Sequence, residues 1–398
     1  MSVLRWSRLR WGPLAALVLA VTLVSVLALR APDLGAGSAR GNGEPGALWI
    51  DPGALAALPT SGPAWAGLQA RADGDIGRAD VADQDSFHDT DTLAVALVAA
   101  RTGRDEYRRR AVGHLLDAID TDRNPDATCP VAPSRARSLA IGRNLPAYVI
   151  AADLVGLRHD GVPGSDGSRF AAWVDRLRRQ DNCPHLAEDR GPSTLAADHE
   201  RSASNVSVMA GGARLAAAIY LGDTAEVEDV WRTFRRFTGA EAGGELRFTR
   251  EGLTWAHDAD APMAVNPAGT TRDGRRIDGV IPNDQGRGGP FAWPPGYTQY
   301  PWEGLQGLYV QAQLLAQAGY PAYEAGDRAL LRALDYQHHL WRATGDPRWW
   351  DRADWVKHLA NAAYATDYPI TGDADRGRNM AWTDWTHAQM AQPASTSS

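Results

Sequence analysis

Apolar residues recur at helical spacing along most of the chain after His88. Leu93 and Leu97, for example, share one face of a segment that follows acidic residues and ends at Gly103. The same spacing predicts further helices around residues 107–119, 145–155, 170–177, 206–220, 227–234, 305–315, 330–341 and 355–364. The pattern therefore predicts an all-α domain.

Short turns separate several of these segments, as in ARTGRDEY, YLGDTAEV and RATGDPRW. A helix, a tight turn and a second helix are typical of antiparallel helical hairpins. Exact repeats are absent, which argues against an ordinary solenoid array. Residues 246–255 (LRFTREGLTW) alternate between apolar and polar positions, which predicts a strand or short hairpin there.

The stretch from Met263 to Gly319 is predicted to be a long ordered loop that leads into a helix. Its aromatic residues offer too much apolar surface to be left in water. Two interpretations remain open. The loop is either a surface that binds sugar rings or a crossover held in place by its own aromatic side chains.

The first 30 residues are predicted to lie outside the fold. Arg5, Arg8 and Arg10 precede an apolar run from Trp11 to Leu29, which is typical of a signal peptide or a membrane anchor. Residues 31–46 have the composition of a flexible linker, and residues 47–390 are predicted to form one domain. On either interpretation of the first segment, the domain is expected to be extracytoplasmic.

The formal net charge of −7 argues against nucleic-acid binding, although an arginine-lined cleft could still bind an anionic polymer. Export would permit Cys129 and Cys183 to pair, but their positions do not decide whether they do. Two separated cysteines without a matching histidine pattern predict no structural metal. No cofactor is expected, and we expect a monomer.

Four strings resemble the alginate-lyase-like family of polysaccharide lyases. They are QDSFHDTDTLAVALVAARTG, LAIGRNLPAYVIAADL, SNVSVMAGGARLAAAIYLGD and DGVIPNDQGRGGPFAWPPGYTQYPWEGLQGLYVQA. The resemblance covers about residues 80–387 in the same order. It implies an all-α fold in which helical hairpins curl into an incomplete (α/α) toroid. It also implies an exported enzyme that cleaves uronate-containing polymers by β-elimination.

That reaction requires a group that neutralises the uronate carboxylate, a base for the C5 proton, and an acid for the leaving oxygen. The resemblance implies that Tyr300 acts as acid or base and that Asn205 binds the carboxylate. Val206 stands where the family carries its catalytic histidine, so His199, six residues upstream of Asn205, becomes the candidate base. Alternatively, Asn205 is only the N-cap of its helix.

Further residues of sugar-binding types are predicted to contact the substrate. Each has a structural alternative, such as aromatic packing, helix capping, pairing of Arg287 with Asp284, or pairing of Arg143 with an acid instead of facing a cleft. The predicted contacts are Arg143, Asn144, Tyr148, His88, Trp293, Tyr297, Trp302 and Arg287. A last cluster, residues 376–387, either binds sugar or closes the barrel.

Three functions are considered. The leading hypothesis is a lyase acting on an anionic glycan. The second is a carbohydrate-binding or cell-surface protein that has lost the chemistry, which Val206 favours. The third is a glycoside hydrolase, which needs two carboxylates flanking the bond, and no such pair stands out in the sequence.

Overall fold

A computed structural model describes residues 47–122, 136–158, 161–184, 191–241, 246–371 and 377–388. All of them belong to Ser38–Ser398, the larger of the two units into which the chain divides. The predicted N-terminal segment (1–30), the linker (31–46) and Cys129 lie outside these residues. Cys183 is part of a disulfide. No helix within the described ranges is long and apolar enough to cross a membrane.

Helices account for 62% of the structure and strands for 2%, which confirms the prediction of a mostly helical protein. The described α-helices are α1 (Pro52–Ala57), α2 (Pro63–Asp73), α3 (His88–Thr102), α4 (Asp105–Thr121), α5 (Ala136–Leu154), α6 (Asp166–Arg179), α7 (Leu195–Arg201), α8 (Asn205–Leu221), α9 (Thr224–Thr238), α10 (Arg250–Trp255), α11 (Pro282–Gln285), α12 (Tyr300–Gln317), α13 (Ala325–Thr344), α14 (Asp354–Tyr364) and α15 (Thr383–Thr386). Short 3-10 helices cover Gly286–Gly288, Ala322–Glu324 and Pro347–Trp349.

Helices α3, α5, α8 and α12 form a row in which each packs against the next. Nearly every residue of α8 and α12 is buried, as expected for helices surrounded by protein on all sides. Helices α4, α9 and α13 are amphipathic, and each packs with one face against this row. The hairpins α3–α4 and α8–α9 are joined by the predicted tight turns, at Gly103 and Gly222 in the left-handed conformation.

Two glycines allow the helices of the row to approach closely. A Cβ added to Gly142 of α5 would lie 2.9 Å from the backbone carbonyl carbon of Met209 in α8. A Cβ on Gly307 of α12 would lie 2.7 Å from the backbone nitrogen of the same residue. Both helices therefore approach the backbone of α8 closely at Met209.

The prediction of a strand at residues 246–255 was wrong. Only an isolated bridge forms there, between Ser202 and Arg247, and α10 covers the second half of the segment. The hydroxyl of Thr249 accepts a hydrogen bond from Gly252 N and so caps this helix. The strands lie later, in the predicted loop, where β1 (Thr271–Arg272) pairs with β2 (Arg275–Arg276) in an antiparallel hairpin.

The last described segment contacts the N-terminal helices. The indole nitrogen of Trp382 donates to Thr90 O at 2.8 Å, and that of Trp385 donates to Pro59 O at 2.9 Å. Gln313 of α12 donates to Trp49 O at 3.1 Å. These bonds bring the two ends of the described chain together beside α3 and α12.

Candidate functional site

The candidate site lies where α8 and α12 begin. Asn205 is the first residue of α8, and Ser204 occupies the N-cap position without a side-chain capping bond. The interpretation of Asn205 as the N-cap was therefore wrong. Its backbone N–H donates to Asp284 Oδ1 at 3.1 Å, and its side-chain amide has no partner among the described residues. Asn205 is 4% exposed, so only a small part of its surface faces solvent.

Asp284 contacts the first residues of both helices and so connects them. It is buried, and burial raises the pKa of its carboxyl well above the ordinary value, although the Asn205 N–H and Arg287 oppose the shift. Its Oδ2 has no hydrogen-bond partner in the described part of the chain. This oxygen occupies the place where a side chain on Gly304 of α12 would lie. Asp284 therefore fixes the start of α8 against the first turn of α12.

Arg287 and Tyr300 form the exposed part of the site. The guanidinium carbon of Arg287 lies 3.9 Å from the centre of the Tyr300 ring, a cation–π contact. Arg287 is exposed, and no carboxylate of the described residues lies within ion-pair distance of it, so the predicted pairing with Asp284 is not direct. Tyr300, the first residue of α12, is half-buried. A cation free to bind an anion thus stands beside a phenol.

Arg143 of α5 contacts the same helix, α12, at Glu303. Its guanidinium donates to Glu303 Oε2, one turn along α12 from Tyr300, and to the backbone carbonyl of Gln84 at 3.2 Å. Its side chain is only 10% exposed. The sequence left two fates open for Arg143, an acid partner or a cleft, and the structure places it with an acid partner.

Three other predicted contacts are internal. Asn144 is buried and donates to the backbone carbonyls of Val81 and Asp83, so it holds the loop before α3. The Tyr148 hydroxyl lies 2.8 Å from His88 Nδ1, and both side chains are buried. Burial raises the pKa of Tyr148 well above its usual value. Burial, together with the neighbouring His114 and Arg71, lowers that of His88 to about 4. Their burial leaves these three side chains without access to a dissolved polymer.

His199 does not reach the candidate site surface. It lies in α7 and not in a loop, is fully buried, and stacks against Phe237 with ring centres 5.8 Å apart. Burial lowers its pKa well below the ordinary value, and Arg214 and Arg236 act in the same direction. His199 therefore has no access to a dissolved polymer, and the prediction that it is the base was wrong. His199 is buried because α7, which carries it, packs against α8.

The predicted aromatic contacts have different environments. Trp302 is buried, and its indole nitrogen donates to Trp349 O at 2.9 Å, so it is a core residue. Trp293 is half-buried between Arg275 and His339, with ring contacts at 5.3 and 5.7 Å. The Tyr297 hydroxyl accepts from Arg352 Nε at 2.7 Å. Unlike these three rings, Tyr300 has the guanidinium of Arg287 on its face.

The backbone at Gly288 and Gly296 explains why the aromatic side chains of this loop have different environments. A Cβ on Gly288 would lie 2.3 Å from Gly296 O, so the loop between these glycines closes at a narrow neck. Arg287 and Tyr300 lie on either side of the neck, whereas Phe291 and Trp293 lie within the loop and pack against Trp255 and His339. The loop is therefore held down by its aromatic residues, and the candidate site lies at its base.

Sequence reasoning missed three residues that adjoin the site, namely Gln84, Asp85 and Glu303, whereas Arg378 belongs to the predicted cluster 376–387. Glu303 follows Tyr300 by three positions, which places both on one face of a helix, so periodicity could have indicated it. Nothing local in the sequence indicates that Arg378 contacts Gln84 and Asp85. Within the described ranges, no group of three or more histidine, cysteine or acidic residues is arranged to hold a metal ion.

Comparison with known protein families finds no family that matches this chain, and comparison with characterised proteins finds no match either.

Proposed function

We propose that this protein is an exported polysaccharide lyase that cleaves a uronate-containing anionic glycan by β-elimination. The observation that carries the proposal is the stacking of Arg287 on Tyr300 at 3.9 Å, together with Asp284, which contacts both the Asn205 N–H and the first turn of α12. A cation and an amide suit a carboxylate, and a phenol suits proton transfer. Export is inferred from the apolar run at residues 11–29.

In the proposed reaction, Arg287 and Asn205 bind the uronate carboxylate and stabilise the negative charge that develops when C5 loses its proton. The Tyr300 oxygen takes the C5 proton as a phenolate. The C4–O bond breaks, a C4=C5 double bond forms, and the leaving oxygen takes a proton from the Tyr300 hydroxyl. One tyrosine serves both steps because Val206 and the buried His199 leave no histidine at this helix start.

The Arg287 guanidinium has a second role in this scheme. Positioned over the ring, it stabilises negative charge on the phenol oxygen during the reaction. Asp284 acts as a positioning residue, because its carboxyl holds the backbone of Asn205 and lies against the first turn of α12.

We also propose that the helical hairpins curl into an incomplete (α/α) toroid. The row α3–α5–α8–α12 supports this arrangement, since each helix contacts the next. A second series of contacts supports it as well, in which α12 packs on α14, α14 on α15, α15 on α2, and α2 on α3. Asn205 and Tyr300 each begin a helix of the row, which would place the site at one end of the toroid.

A second candidate is a carbohydrate-binding protein without lyase activity, which Val206 beside Asn205 favours. The two candidates differ in their products. Incubation with a panel of uronate polymers would be followed by the absorbance of a conjugated unsaturated uronate and by assay of reducing ends. We expect both signals to rise. Affinity without either signal would support the binding protein, and reducing ends without the absorbance would indicate hydrolysis.

A further inference from the structure

The Asp85 carboxylate lies between two arginines that are distant in the sequence. Its Oδ1 is 3.2 Å from Arg378 Nη2 and 3.9 Å from Arg143 Nη1. The Asp85 side chain is 67% exposed, whereas those of Arg143 and Arg378 are 10% and 26% exposed. An exposed carboxylate thus covers two largely buried cations.

The arginines do not depend on Asp85 for their positions. The backbone carbonyl of Gln84 accepts from Arg143 Nη1 at 3.2 Å and from Arg378 Nη1 at 2.5 Å. Arg143 is also bonded to Glu303, and its Nε is buried without a partner among the described residues. The two guanidinium groups would therefore remain in place if the Asp85 side chain moved into solvent.

An exposed aromatic ring borders this pair of arginines. Phe87 is 37% exposed, and the guanidinium carbon of Arg378 lies 4.8 Å from its ring centre. An exposed phenylalanine beside fixed cations matches a sugar acid, which has an apolar ring face and a carboxylate. Arg143 contacts Glu303, one turn from Tyr300, so the ring and the proposed catalytic tyrosine border one continuous set of contacts.

We propose that Arg143, Arg378 and Phe87 form a subsite for one uronate residue, and that Asp85 occupies the place of its carboxylate in the free protein. This inference rests on the proposed function, since it assigns part of the same anionic glycan to these residues. On binding, the ligand carboxylate displaces Asp85 from the two guanidinium groups, and its sugar ring packs on Phe87.

The proposal makes an uncommon prediction, because removal of a site residue's charge should strengthen binding. Asp85→Asn removes the competing charge, so trimers of mannuronate, guluronate or galacturonate should bind about threefold to tenfold tighter by calorimetry. Arg378→Gln and Phe87→Ala should each bind about fivefold or more weakly, and Phe87→Trp should retain the affinity. Trimers whose carboxyl groups have been reduced to alcohols should not distinguish Asp85→Asn from the wild type.

Matched controls come from an exposed ion pair on α9, in which Arg232 Nη1 lies 2.8 Å from Asp229 Oδ1. Asp229→Asn and Arg232→Gln should bind as the wild type does. Unchanged or weaker binding in Asp85→Asn, with a wild type that binds or cleaves uronate glycans, would overturn the subsite and leave the proposed function standing. A wild type that neither binds nor cleaves any of them would overturn both.

Discussion

The guanidinium of Arg287 lies 3.9 Å from the centre of the Tyr300 ring, across the narrow neck of the aromatic loop. The contact places a cation without a carboxylate partner in the described chain next to a half-buried phenol. The Asn205 N–H donates to Asp284, and Asp284 lies against the first turn of α12. The proposed chemistry depends on this arrangement, and Tyr300 is its most direct test.

Replacement of Tyr300 by phenylalanine should abolish turnover and leave binding largely intact. The ring and its contact with Arg287 remain, but the oxygen that transfers the proton is lost, so the rate should fall by at least about a hundredfold. The absorbance assay measures the rate, and calorimetry with the same oligosaccharide measures affinity. Tyr320→Phe, which removes a hydroxyl bonded to Glu228, serves as the control. Wild-type turnover in Tyr300→Phe would mean that another group transfers the proton.

Replacement of Arg143 by alanine should lower stability as well as binding and turnover. Glu303 would keep a poorly solvated charge without its partner, at a cost of about 3 kcal/mol in the free energy of unfolding measured in urea. The double variant Arg143→Met, Glu303→Gln should recover most of this loss. Arg169→Ala breaks an exposed pair with Asp120 and should change the free energy of unfolding by less than about 1 kcal/mol. An equal loss in the free energy of unfolding in Arg143→Ala and in the double variant would contradict the pairing of Arg143 with Glu303.

The close packing of α8 and α12 can be tested at Gly307. A methyl group there would meet the backbone of Val208 and Met209 at 2.7 Å, so Gly307→Ala should destabilise the protein by about 2 kcal/mol. Gly113 in α4 has open space around its Cβ position, so Gly113→Ala should stabilise by roughly 0.5–1 kcal/mol. Thermal unfolding of both variants measures the difference. Similar melting temperatures would show that the helices are farther apart than described.

Buried His88 should make the protein sensitive to acid. Its pKa is lowered to about 4 in the folded state, below the unfolded value of 6.5, so the unfolded chain binds the proton more readily. Its contribution to stability is therefore intact above pH 6.5 and declines as the pH falls towards 4, by about 1.4 kcal/mol per pH unit. Urea unfolding of the wild type and His88→Gln across this range measures the slope. The variant should show a shallower decline, and identical slopes would contradict this role.

The helices were predictable because their signals are local. Apolar spacing and the glycines at 103 and 222 located α3, α8 and their turns to within a few residues. The prediction of a strand at residues 246–255 was wrong because it also depended on a local signal. The alternating pattern there matched a strand, but the segment forms a short helix that Thr249 caps and that packs against α11.

From the sequence, only the types of residue in the candidate site were predictable, and not their contacts. The sequence by itself determined a mostly helical protein, with Asn205 and Tyr300 near the starts of two helices. The tertiary structure alone decided that His199 and Trp302 are buried, that Arg143 pairs with Glu303, and that Asp284 holds Asn205. The physical reason is the separation along the sequence over which each kind of interaction acts. Helical periodicity acts over three or four residues, whereas the contacts of the site join residues 160 positions apart at Arg143 and Glu303, and 294 apart at Gln84 and Arg378.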